Sequence, residues 1–154
     1  MENVAVVAAR GNVRMISRER GVLLEQHNLV VDASVEVMMQ ALMGRDLIDT
    51  VQFGDSGGAS VTPGLRAIFN PVFRAAAGST SSIPPVISRD NRGLSSVGTW
   101  TAVYTNTDPS PVTYDMVGLT TQSSRLFAAT AFAPVSLAVG ESIAVEWTIL
   151  LAGR

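Results

Sequence analysis

Between Ser142 and Leu151 apolar and polar residues alternate with a period of two. Ile143, Val145, Trp147, Ile149 and Leu151 fall on one face and Ala144, Glu146, Thr148 and Leu150 on the other. This is the pattern of a half-buried strand, and as the cleanest in the chain it predicts the centre of a sheet. Weaker versions recur over Val22 to Val31, Thr50 to Gly54, Val97 to Asn106, Val112 to Val117 and Arg125 to Phe132. Near the start, Val4 to Ala9 and Val13 to Ser17 are separated by Arg10-Gly11-Asn12 and followed by Glu19-Arg20-Gly21. Both tripeptides are turn signals, and together they predict a small meander.

One stretch breaks the period of two. After Asn28-Leu29-Val30-Val31-Asp32, the residues Val35, Met38, Met39, Leu42 and Met43 recur at helical spacing before Gly44. Asp32 is placed to cap the free amides of a first turn and Gly44 to end the helix in a left-handed conformation, so a helix over about 33–43 is expected. Its apolar face, soft with methionine, is expected to cover an open side of a β core, while Leu29 to Val31 pairs in a sheet.

Many short strands, one helix and no regular strand–helix alternation predict a mainly β chain. The expected architecture is an antiparallel β-sandwich or jelly roll forming a single domain over 1–154. From about 78–96 the sequence is rich in Ser, Pro and Gly, with Pro84-Pro85 and Arg89-Asp90-Asn91-Arg92 inside it. It reads as an irregular loop or arm reaching a neighbouring subunit.

Composition narrows the function classes. Of 154 residues 47% are hydrophobic and only 16% charged, and mean hydropathy is +0.29. That is apolar for a solitary soluble domain and points to surface covered by other subunits. A net charge of −2 with scattered basic residues gives no electrostatic footprint for nucleic acid or an anionic membrane. All 11 basic residues are Arg, a usage that suits bidentate carboxylate pairs at subunit contacts and equally follows from a GC-rich coding bias. Cysteine is absent, which excludes disulfides, thiolate metal sites and a cysteine nucleophile. Glu2, the brief run Val4 to Ala9 and the Pro134-interrupted stretch Leu126 to Gly140 fit neither a signal peptide nor a bilayer span, so a soluble protein made in the cytoplasm is expected.

Candidate chemistry is sparse. Gly54-Asp55-Ser56-Gly57-Gly58 reads like the nucleophile loop of trypsin-like serine proteases, and His27 is the sole histidine, followed by Asp32, Asp46 and Asp49. Against that reading, the chain is much shorter than a two-barrel protease and crowds all of these residues within thirty positions. Glycines at positive φ with Asp and Ser capping local amides make the same pentapeptide an ordinary turn. Asp46 and Asp49 suit a solvated turn better than an acid/base pair. The Phe53, Asp55, Ser56 and Gly58 region lacks the carboxylates of a calcium loop. Trp100, Tyr104, Tyr114 and Trp147 sit in alternating strands and are expected in the core, where they would not stack on sugars. The expected catalytic, cofactor-binding and metal-binding sets are therefore empty.

The order of parts resembles that of small tailed-bacteriophage virion proteins. The matching pieces are Asn28 to Asp32, the helix to Gly44, Phe53 to Gly58, Val112 to Leu119, Arg125 to Thr130 and Gly140 to Ile149. Ala33 stands where that group usually has Gly, Asp115-Met116 replaces a different acidic-apolar pair, and Gly78 to Ser96 looks like an insertion. The resemblance implies a non-enzymatic structural protein of the virion, a capsid decoration or cement protein that oligomerises and bridges subunits of the major capsid protein. Gly78 to Ser96 and the residues before Val13 are the expected contacts. The alternatives are a tail, baseplate or fibre-associated module, or a carbohydrate- or receptor-binding β module. No nucleic acid, membrane or cofactor is implied.

Overall fold

The computed structural model describes residues 7–69, 71–73, 80–89 and 95–153. Among them nine strands form one antiparallel sheet that doubles back on itself as a sandwich, with a single short helix. The strands are β1 (Val7–Ser17), β2 (Gly21–Val30), β3 (Ile48–Gly54), β4 (Pro71–Phe73), β5 (Thr80–Arg89), β6 (Ser95–Thr105), β7 (Val112–Thr121), β8 (Leu126–Leu137) and β9 (Ser142–Gly153). The helix α1 (Ser34–Leu42) lies between β2 and β3. Strand order is β4-β3-β7-β8-β2-β1-β9-β6-β5, and β3 approaches β5 and β6 so that the sandwich is nearly closed.

The alternation over Ser142 to Leu151 does what it predicts. β9 lies between β1 and β6, and Ile143, Val145, Trp147 and Ile149 are buried while the residues between them are half-exposed. Facing them from the other layer are Val51 and Phe53 of β3, Tyr114, Val117 and Leu119 of β7, and Phe127 of β8. The Phe53 and Tyr114 rings meet edge-on with centroids 5.0 Å apart, a favoured aromatic geometry.

The two layers join in β2. Its first part pairs with β1, and Leu29 and Val30 pair with Ala129 and Ala128 of β8. Leu29 and Val30 therefore belong to a sheet, as expected, and their strand is the seam of the sandwich.

Three expectations change. Residues 10–12 are not a turn: β1 runs unbroken from Val7 to Ser17, with Gly11 opposite Asn28. A Cβ on Gly11 would lie 2.1 Å from Asn28 Oδ1 and 2.6 Å from Ile149 Cδ1, so glycine there serves close approach. Within the irregular stretch at 78–96, Thr80–Arg89 is strand β5, paired antiparallel with β6. Pro84-Pro85 fall at a register shift between Ile83 and Val86 on what is an edge strand, the place where prolines interrupt no central ladder. Positions 78, 79 and 90–94 of that stretch lie outside the described residues, as do residues 1–6 of the expected N-terminal contact.

The third change concerns the helix. α1 forms and Gly44 stops it at φ +70. Its N-cap, however, is Ala33 with no side-chain cap bond; Asp32 is exposed and its backbone amide donates to the Pro63 carbonyl at 2.8 Å. The buried residues of α1 are Ser34 and Val37, with Met38 and Ala41 partly buried beside them. This face is rotated by roughly a third of a turn from Val35, Met39 and Leu42. Val35, Met39 and Leu42 are left on the outside.

Candidate functional site

Two features outside the core distinguish this surface: a set of buried carboxylates and the outer face of α1. The first accounts for the motif that reads like a nucleophile loop. A register shift between Tyr114 and Met116 leaves Asp115 at an irregularity in β7, and its buried carboxylate reaches the Gly54 to Gly58 loop. Asp115 Oδ1 accepts the Ser56 amide at 2.7 Å, and Oδ2 accepts the Ser56 hydroxyl at 2.8 Å and the Gly58 amide at 3.0 Å. Burial alone would raise the Asp115 pKa, but these three donors outweigh it and hold the group below the ordinary carboxylate value.

The Ser56 hydroxyl is thus engaged with a carboxylate, and its oxygen accepts the Ala59 amide at 3.0 Å. His27 is exposed on β2, opposite Asn12 of β1, in the other layer of the sandwich. The structure does not bring His27 and Ser56 together. The loop is a turn organised by Asp115, whose role no local motif announces. Beyond it the chain crosses the outer face of β3, β7 and β8, where Ile68 sits over Gly54 and Gly118 and packs with Val31, Met116, Leu126 and Ala129.

Asp46 and Asp49 do similar work at the other end of β3. Asp46, at φ +50, accepts the Thr121 hydroxyl at 2.9 Å, the Ser123 amide at 3.1 Å and the Ser123 hydroxyl. Asp49 accepts Gln122 Nε2 at 2.8 Å. Both fasten the segment after α1 to the β7–β8 turn, and Arg125 of that turn reaches Glu36 of α1 at 3.1 Å.

A fourth carboxylate, Glu141, is 8% exposed. It accepts Arg20 Nε at 2.6 Å, the Ser17 hydroxyl at 2.9 Å and the Ala138 amide at 2.9 Å. Burial pushes its pKa up and these donors, with the Arg20 charge, pull it below the ordinary value. Next to it the buried Asn106 side chain donates to the Ser110 and Leu137 carbonyls, both at 3.1 Å, and accepts the Asp108 amide at 3.0 Å. Turns between β1 and β2, β6 and β7, and β8 and β9 are tied together at this end.

The four aromatics are not a sugar platform. Trp147 and Tyr114 are fully buried, Tyr104 nearly so, and the half-buried Trp100 donates its indole N–H to the Ile48 carbonyl at 2.8 Å. Among the described residues no cluster of three or more His, Asp or Glu side chains is placed to hold a metal ion, and no helix is long and apolar enough to cross a membrane.

What remains is α1. Val35 is 69% exposed, Met39 56%, Leu42 82%, Met43 55% and the nearby Leu47 53%. Five large apolar side chains on one short segment are thus left in solvent, an exposure of the kind that marks association. Beside them a groove of about 730 Å³ is lined by Asp32, Val35, Met39, Gln40, Gly64 and Arg66, among others. The periodicity of these residues is visible in the sequence; their outward orientation is not. Comparison with protein-family models, curated proteins and solved structures finds no match to this chain.

Proposed function

We propose that this chain is a non-enzymatic structural protein of a tailed-phage virion, a capsid decoration protein that associates with itself and with the major capsid protein. The observation that carries the reading is the exposed apolar face of α1. A folded sandwich that spends its buried carboxylates on fastening turns, yet leaves five large apolar side chains in solvent, is suited to assembly. The order of parts from Asn28 through Ile149 supports the virion setting. Decoration would stabilise a head by adding buried interface across neighbouring capsomers, so that rupture must expose that interface again.

The exposed face of α1 joins 78–96 and the residues before Val13 among the expected contacts. A tail or baseplate module would show the same motif order and the same exposed helix. Antibody labelling of intact virions separates the two readings: decoration places label over the whole head, a tail module at one pole.

A further inference from the structure

We infer that α1 is a flap that opens separately from the sandwich, clasped shut by Arg125, which grips the helix through Glu36 and the chain beyond it through Asp46. The inference concerns how the helix is held and does not depend on what meets its outer face.

Burial holds the helix lightly. Of its 9 residues the buried ones are Ser34 and Val37, with Met38 and Ala41 partly so. Its first turn has no side-chain cap, and a helix this short is marginal by itself. Few buried apolar side chains and a solvent-facing backbone mark a unit that opens at a lower free energy than the whole fold. β9, paired on both sides by β1 and β6 along its full length, is the opposite case.

What fixes the segment is polar. Asp46, two positions past Gly44, has φ +50, a conformation that a non-glycine residue keeps only where its surroundings impose it. The imposing groups belong to the β7–β8 turn. The Arg125 amide donates to the Thr121 hydroxyl oxygen at 3.1 Å, and that hydroxyl donates to Asp46 at 2.9 Å. The Arg125 side chain then spans both sides of the flap, with Nη1 3.1 Å from Glu36 and Nε 3.7 Å from Asp46. The Asp46 side chain is 17% exposed, so its share of the clasp is shielded from water more than the Glu36 share. Arg66 lines the same crevice as Glu36, yet the ion pairs of Glu36 and Asp46 are both made by Arg125. One side chain therefore secures the helix and its exit together, and releasing it frees Asp46 to leave its left-handed conformation.

Native-state hydrogen exchange tests this residue by residue. The amides of Val37 and Met43, which donate to the Ala33 and Met39 carbonyls, report the flap, and those of β9 report the whole fold. In the wild type the flap amides, corrected for intrinsic rates, are expected to exchange at least about a hundredfold faster than those of β9. Arg125→Ala is expected to speed the flap amides by roughly threefold to tenfold while leaving β9 unchanged. Asp46→Ala should act in the same direction, and Arg66→Ala should leave both sets unchanged. Flap amides as protected as β9 in the wild type would overturn the inference. So would Arg125→Ala accelerating flap and β9 equally, or Arg66→Ala matching its effect on the flap.

Discussion

Asp115 on β7 and Ser56 in the loop after β3 are joined twice, through the serine amide at 2.7 Å and its hydroxyl at 2.8 Å. The pair converts a pentapeptide that looks catalytic into a fastening. It also places the start of the segment that covers the outer face of β3, β7 and β8. The carboxylate is the essential partner, since it collects three donors while the serine hydroxyl supplies one.

Asp115→Asn is therefore expected to destabilise the protein by about 2 kcal/mol, the scale of lost charge-assisted hydrogen bonds in a buried setting. Ser56→Ala should cost about 1 kcal/mol, because the backbone amides of Ser56 and Gly58 still reach the carboxylate. Urea titration of both variants measures the difference. Equal losses would mean that the hydroxyl, and not the carboxylate, holds the loop.

Acid should weaken the fold through three groups at once. Asp46, Asp115 and Glu141 all have folded pKa values below their ordinary ones, so the folded state binds protons less readily than the unfolded chain. Their contribution is fully present above the unfolded carboxylate values near about 4 and is lost as pH falls through the lower folded values. Thermal midpoints are expected to be flat from neutral pH to about pH 5 and to fall below about pH 4. Glu141→Gln should lower the neutral midpoint and shallow that acid limb. A limb of unchanged steepness would show that Glu141 does not contribute to it.

Gly11→Ala is expected to cost about 2 kcal/mol or more, because the new methyl meets Asn28 Oδ1 and Ile149 Cδ1 inside the sandwich. Asn28→Ala should recover part of that loss in the double variant, since it removes the nearer obstacle and the amide atoms it removes are buried without hydrogen-bond partners. Additive losses in a double-mutant cycle would contradict the close approach.

Gly11 also shows where sequence reasoning stops. Arg10-Gly11-Asn12 is a turn signal by its local chemistry, and the side chain that decides otherwise lies on the next strand at Asn28. The same limit hid β5, where Pro84-Pro85 conceal a strand whose edge position tolerates them. The alternation of β9 was legible because burial on one face and solvent on the other write themselves into every second residue. For α1 the period was legible and the facing was not. Ser34 and Val37 meet the sheet with Met38 and Ala41 partly buried beside them, so Val35, Met39 and Leu42, which look like core, point outward. Asp115 gave no local signal, as its partners lie 57 and 59 positions away.

We propose that this sandwich decorates a phage head, and a density map of intact virions tests that role most directly. A β-sandwich matching this fold is expected on the outer surface of the head, repeated with the capsid lattice, with α1 in a contact between neighbouring molecules. Density for the fold confined to the tail, or found nowhere on the particle, would contradict it.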